Sequence, residues 1–209
     1  MTRQEEAQVI ERVLSGDINA YEQLVTQYEK SVYNLALRMT DNPEDAADMA
    51  QEAFIKAYNS LSSFRGDSKF SVWLYRIVSN VCLDFLRKQS RRPSVSLSVE
   101  DDDGEDVQLD VPDDSMSPEL QLERKLTRES VREGLKQLPE DYRQILLLRE
   151  LQGLSYDEIA ETLDIGVGTV KSRIFRAREK LCAFLLKGGN IPDLVSSSNK
   201  RGGGSHDRM

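Results

Sequence analysis

Apolar positions recur at helical spacing from the first turns of this chain onward. Val9, Ile10, Val13 and Leu14 form one stripe, and after "SGD" Tyr21, Leu24, Val25, Tyr28, Val32, Leu35 and Ala36 form a second. Residues at such spacings share one face of an α-helix. A third helix is expected from Pro43: Asn42 is a good capping residue, proline suits the first helical position, and Glu44, Asp45 and Asp48 lie near the positive end of the helix dipole. The stretch "SSFRGDS" interrupts the pattern, and a long helix is expected from near Lys69 to about "RKQSRRP".

The helical pattern resumes from about residue 119. Leu120, Leu122, Leu126, Val131, Leu135 and Leu138 predict one helix that stops at Pro139, and Tyr142, Ile145, Leu146 and Leu148 predict another. "SYDEIAETL" begins with Ser155 and Glu158 at capping-box spacing. A short glycine-bearing turn, "DIGVGTV", then leads into a basic helix, "KSRIFRAREKL". Two short helices joined this way make a helix-turn-helix, whose second helix can enter a DNA major groove. The fold class expected is all-α: two small helical domains joined by a flexible acidic linker, with the helix-turn-helix in the C-terminal one. The expected bounds are 1–93 and 119–187 for the domains, 94–118 for the linker and 188–209 for a Gly- and Ser-rich disordered tail.

Charge sharpens this division. The chain has a formal net charge of -8, yet residues 100–123 contain eleven Asp or Glu and no Lys or Arg, so the remainder carries a formal +3. That acidic stretch, with its prolines and glycine, has the composition of a linker that cannot bury a core. No run of eighteen apolar residues and no secretory signal is present, so a cytoplasmic protein that is not membrane-inserted is expected. Cys82 and Cys182 both lie on the apolar side of helical patterns, and the lone His206 is in the tail. Two buried reduced thiols are expected, with no metal and no cofactor. Neither a phosphate-binding glycine loop nor a nucleophile elbow occurs, so neither a small-molecule substrate nor an enzymatic activity is expected.

At about 100° per residue, Val170, Ile174, Ala177 and Leu181 form the core stripe of the basic helix. Ser172, Phe175, Arg176 and Glu179 then point away from the core, flanked by Lys171 on one side and by Arg173 and Lys180 on the other. Phe175 is out of place on a solvated face but suits a face inserted into DNA, where Arg and Lys take base edges and phosphates. The same construction on the long helix gives Phe70, Leu74, Ile77, Val78, Val81 and Phe85 as core. It leaves Trp73, Arg76, Ser79, Asn80, Leu83 and Arg87 outward. Tryptophan with arginine and an amide suits a surface that stacks on unpaired bases; the alternative is that Trp73 packs on a neighbouring helix.

The stretches "DMAQEAFIKAYNSLSSFRGDSKFSVWLYRIVSNVCLDFLRK" and "LRELQGLSYDEIAETLDIGVGTVKSRIFRAREKL" resemble the two domains of bacterial extracytoplasmic-function sigma factors, of the sigma-E and sigma-W kind. The likeness covers about residues 5–187, apart from the linker. It implies a transcription initiation factor that binds core RNA polymerase and directs it to promoters. In the implied scheme Asp45, Asp48, Gln51, Glu52 and Phe54 dock on core polymerase. Arg65, Ser68, Lys69, Trp73, Arg76 and Asn80 open and read the minus-10 element as single-stranded promoter DNA. Lys171, Ser172, Arg173, Phe175 and Arg176 read the minus-35 element as duplex, with Arg149 on a phosphate. The resemblance also implies an anti-sigma factor as partner, and a linker that runs through polymerase channels, where its carboxylates would imitate RNA; a soluble spacer is the other reading of that segment. The rival function is a helix-turn-helix regulator that binds DNA without polymerase.

Overall fold

A computed structural model describes residues 1–91 and 118–187, with side chains from residue 124 onward in the second span. The expected linker up to residue 117, the tail from 188 and the expected core positions Leu120 and Leu122 lie outside that description. The first span folds as four helices: α1 (Arg3–Leu14), α2 (Tyr21–Thr40), α3 (Pro43–Ser60) and α4 (Phe70–Arg91). The second contains α5 (Pro118–Lys136), α6 (Glu140–Leu146), a π-turn (Leu147–Leu151), α7 (Tyr156–Leu163) and α8 (Val167–Lys187). No strand occurs among the described residues.

Local chemistry sets the helix ends. Asn42 Oδ1 accepts from the amides of Glu44 and Asp45 at 2.8 and 3.0 Å, with Pro43 in the first turn. Ser155 and Glu158 form the reciprocal capping box, each side chain bonded to the other residue's amide. The turn between α7 and α8 lies where the sequence places it. Its left-handed residue is Asp164, at φ 52°, while Gly166 and Gly168 have no positive φ. Aspartate reaches this conformation because its short polar side chain can bond locally. A glycine is needed elsewhere, at Gly134: a Cβ there would lie 2.6 Å from Leu181 Cδ1, so α5 approaches α8 closely only because no side chain intervenes.

Each span has an apolar centre. Leu24, Leu35, Met39, Phe70 and Leu74 are fully enclosed in the first, and Ile145, Leu148, Ile159 and Val170 in the second. Several expected core and surface positions change places. Leu14 and Leu126 are about half exposed, whereas Ser79 and Leu83 on α4 are buried. The wheel of α4 assumed a single packing partner. In the folded chain α4 packs against α2, α3 and α7, so neighbours flank it on more than one side. Cys82 is buried and its thiol is pushed up to about 12 by that burial. Cys182 is exposed, contrary to expectation: Leu181 and Phe184 are the residues of this turn that approach Gly134 of α5, and Cys182 lies off that side of α8.

Candidate nucleic-acid interface

The helix-turn-helix positions α8 from below. Val170, Ile174 and Ala177 are buried against the domain, which fixes the rotation of the helix. Lys171, Ser172 and Arg176 are consequently exposed on its far side, and Phe175 is 64% exposed. Ser172 Oγ donates to Thr169 O at 3.0 Å, a bond within the helix that leaves its position on the outer face unchanged. Arg173 differs from its neighbours: it is half-buried and lies 3.4 Å from Asp141. Asp141 belongs to α6, thirty-two positions earlier in the chain, and is not visible in a wheel of α8 alone.

Arg149 is engaged inside the domain. Its Nη1 donates to Leu154 O at 2.6 Å, and its guanidinium lies 5.0 Å from the centre of the Tyr156 ring. It therefore braces the loop that leads into α7. Arg178 pairs with Glu150, tying α8 to the π-turn, and the carboxylate holds the guanidinium in its charged form.

The second group lies on α4 and the loop before it. Trp73 is half-buried, with its ring centre 5.4 Å from Phe64 and 5.6 Å from Phe70. These ring contacts are to a loop residue and to a residue of α4 itself, so the indole belongs to a local aromatic cluster and stays part-exposed. Asn80 and Arg65 are exposed and Ser68 is partly so. The loop itself is held from outside, since Arg3 Nη2 donates to Gly66 O at 2.9 Å. Gly66 has a φ of 76°, a region in which any side chain would be strained.

Lys69 and Arg76 have partners that sequence reasoning missed. Lys69 Nζ lies 2.9 Å from Glu158 Oε1, and Arg76 Nη2 donates to Glu161 O at 2.6 Å. Both partners belong to α7, in the other half of the chain. The Glu158 carboxyl is held below the ordinary glutamate range, first by the Ser155 amide and then by Lys69. A depressed folded-state value means that this carboxylate adds stability above the unfolded-state pKa and loses it as pH falls through the folded value. Thermal unfolding followed from neutral to acid pH should show the fall, and Glu158→Gln should flatten it while lowering the midpoint at neutral pH.

On α3, Asp48, Gln51 and Glu52 are exposed, Asp45 and Phe54 partly buried. Burial, with Asp48 and Glu44 nearby, pushes the Asp45 carboxyl up. Glu52 is paired with Lys56 at 2.7 Å. Gln51 and Phe54 also line an open apolar groove between α2 and α3, with Tyr21, Tyr33, Ile55 and Tyr58. Tyr21 Oη closes one end by donating to Phe54 O at 2.8 Å. Ile55 is 53% exposed there, a signal that "FIKAY" carries one more apolar residue than its core stripe requires.

The described residues thus present a basic helix with an exposed phenylalanine, an aromatic and amide face on α4, and a groove on α3, with no group of His, Cys, Asp and Glu able to hold a metal. None of their helices is long and apolar enough to cross a membrane. Two protein families match at these places: Sigma-70 region 2 over residues 24–92 and Sigma-70, region 4 over residues 128–181. The RNA polymerase sigma-H factor of Pseudomonas aeruginosa is 44% identical over 182 residues, 87% of this chain and 94% of that protein. The ECF RNA polymerase sigma-E factor of Escherichia coli strain K12 is 45% identical over 175 residues, 83% of this chain and 90% of its own length. Among solved structures, CnrH in complex with the cytosolic domain of CnrY is similar at a TM-score of 0.61 and 27% identity, over 86% of this chain and 96% of that one. The sigma factor RpoE in complex with the anti-sigma factor NepR from Bartonella quintana is similar at 0.58 and 27%, over 80% and 96%. With both regions present in order, and relatives of this identity matching along nearly their whole length, the chain belongs to the sigma-70 family of RNA polymerase sigma factors, in its extracytoplasmic-function group.

Proposed function

We propose that this sigma factor divides promoter recognition between its two basic faces, α8 reading the minus-35 element in the major groove and the α4 face holding unpaired minus-10 bases. The observation that carries this reading is Phe175, 64% exposed between Ser172 and Arg176 on a helix whose opposite side is buried. An apolar ring there contacts sugar or thymine methyl while Arg176 and Lys171 take base edges and phosphates. Arg173 joins them by exchanging Asp141 for a phosphate, and Arg149 contributes by holding the entry to α7, with any phosphate contact made by its remaining donors. On α4, Trp73 offers its exposed part for stacking, Asn80 hydrogen-bonds a base, and Arg65, Ser68, Lys69 and Arg76 follow the strand. Flipping a base costs a few kcal/mol, which stacking and hydrogen bonding offset.

Core polymerase docks on α3 through Asp45, Asp48, Gln51, Glu52 and Phe54. The apolar groove beside Phe54 supports this reading because it extends the same face with exposed apolar surface. Residues 1–93 and 119–187 act as the two functional units, and 94–118 as the connection. The protein works in the cytoplasm without catalysing bond chemistry, and an anti-sigma factor is its expected regulator, as the complexes of RpoE with NepR and of CnrH with CnrY suggest by analogy.

Promoter binding by the purified chain, measured with and without core RNA polymerase, tests the reading. Weak binding alone and tight, sequence-dependent binding with core are expected. Tight specific binding without core would favour a free-standing helix-turn-helix regulator.

A further inference from the structure

Helix α1 lies before residue 24, where the region 2 match begins, yet it reaches the loop between Phe64 and Lys69. Its first turn is fixed from several sides. Thr2 and Glu5 form a reciprocal capping box, and the amino group of Met1 donates to Gln27 Oε1 of α2 at 3.3 Å. Glu6, only 9% exposed, accepts from the Tyr28 hydroxyl, and Val9, Ile10 and Val13 are buried beyond it. Arg3 therefore leaves the helix from a rigid base. Its side chain is exposed, and its Nη2 donates to Gly66 O at 2.9 Å. The same helix packs against the turn Leu61–Ser63 that leads into the loop.

Little else holds the loop. Phe64 N donates back to Leu61 O, and Lys69 O accepts from Val72 and Trp73 at the start of α4. Among the described residues, the bond from Arg3 is the hydrogen bond that ties residues 65–68 to another element. Side-chain packing does not replace it at Gly66, where a Cβ would meet nothing within 4 Å beyond its chain neighbours. Glycine has the widest backbone freedom, so without the tie the loop would sample other conformations.

We propose that Arg3 is a positioning residue for base selection in the minus-10 element: from α1 it holds the Gly66 carbonyl, and with it the loop that carries Arg65 and Ser68. This role rests on the assignment of the α4 face made above. A pocket discriminates between bases only when its polar groups are held close to the productive geometry before the strand arrives. Helix α1 supplies that in two ways. Arg3 holds the loop directly, and Glu6 holds Tyr28, whose ring centre lies 5.6 Å from that of Phe70 beneath Phe64 and Trp73. Arg3 itself touches no base in this role.

Transcription with core RNA polymerase from promoters that differ at single minus-10 bases tests the role, using the full chain and its Arg3→Ala, Arg3→Lys and Asn80→Ala variants. Arg3→Ala should reduce the preference for the best base roughly two- to ten-fold at one or two minus-10 positions, the range to which one lost hydrogen bond converts. Minus-35 preference and salt dependence should stay as in the wild type. Arg3→Lys, which keeps a donor of similar reach, should retain most of the preference. Gly66→Ala strains the loop by itself, so combining it with Arg3→Ala should cost less than the sum of the two; additive effects would place the action of Arg3 elsewhere and overturn the role. A uniform loss on all promoters with a shallower salt dependence would make Arg3 a phosphate contact and overturn it as well. So would a lowered unfolding midpoint with base preference intact, which would make the bond structural only. If Asn80→Ala changes minus-10 preference and Arg3→Ala does not, the role of Arg3 alone fails; if neither does, the assignment of the α4 face fails with it.

Discussion

Phe70→Ala is expected to destabilise the protein by about 3–5 kcal/mol, the largest effect of any single change considered. Phe70 is 2% exposed and occupies the centre of an aromatic cluster, with ring centres of Tyr28, Phe64 and Trp73 each 5.6 Å away. Its removal leaves a cavity that α4 cannot close, because the helix is held on other sides by α2, α3 and α7. The cluster also supports function. Trp73 and the "FRGDS" loop are positioned through Phe64 and Phe70, so the substitution should loosen the minus-10 face as well as lower stability. Denaturant unfolding followed by circular dichroism measures the first effect, and Trp73 fluorescence, from the only tryptophan in the chain, reports the second. A loss below about 1 kcal/mol would mean that Phe70 is not the packing centre described, since a buried phenylalanine is worth more than that.

Arg176→Ala is expected to weaken promoter use by roughly 1–3 kcal/mol at one or two minus-35 positions. Arg176 is exposed on the outer face of α8. Its removal therefore leaves the fold intact, and the loss falls on a base contact. Position dependence distinguishes this from a phosphate contact: a base reader loses preference at its own base pair, whereas a phosphate contact weakens all sequences alike. A uniform loss across promoters, accompanied by a smaller salt dependence, would assign Arg176 to the backbone instead.

The elements themselves were legible in the sequence because their signals are local. Asn42 with Pro43, and Ser155 with Glu158, cap helices within four residues of chain, and both caps are formed. The core stripe of α8 was equally readable, since Val170, Ile174 and Ala177 need only one packing surface. Ser79 and Leu83 were misread as outward because α4 has several partners, which no single wheel represents. Cys182 was misread because α5 covers α8 on the side of Leu181 and Phe184, which a wheel of α8 alone does not reveal. The long-range partners were invisible. Glu158 looks like half of a capping box in sequence and also pairs with Lys69, eighty-nine positions away in the chain. Asp41 looks like a loop acid after α2, and its ties to Arg132 and Lys136 exist only once the two halves meet. The acidity of the chain misleads in the same way, because a charge total cannot say which surface carries it.

In-vitro transcription with core RNA polymerase across a promoter library, comparing the wild-type chain with Asn80→Ala and Arg176→Ala, is the most direct measurement of the proposed division of labour. Asn80→Ala should change preference within the minus-10 element and leave minus-35 preference intact, and Arg176→Ala should do the reverse. If both substitutions instead lowered all promoters equally, the two faces would not be separate readers and the account would be wrong.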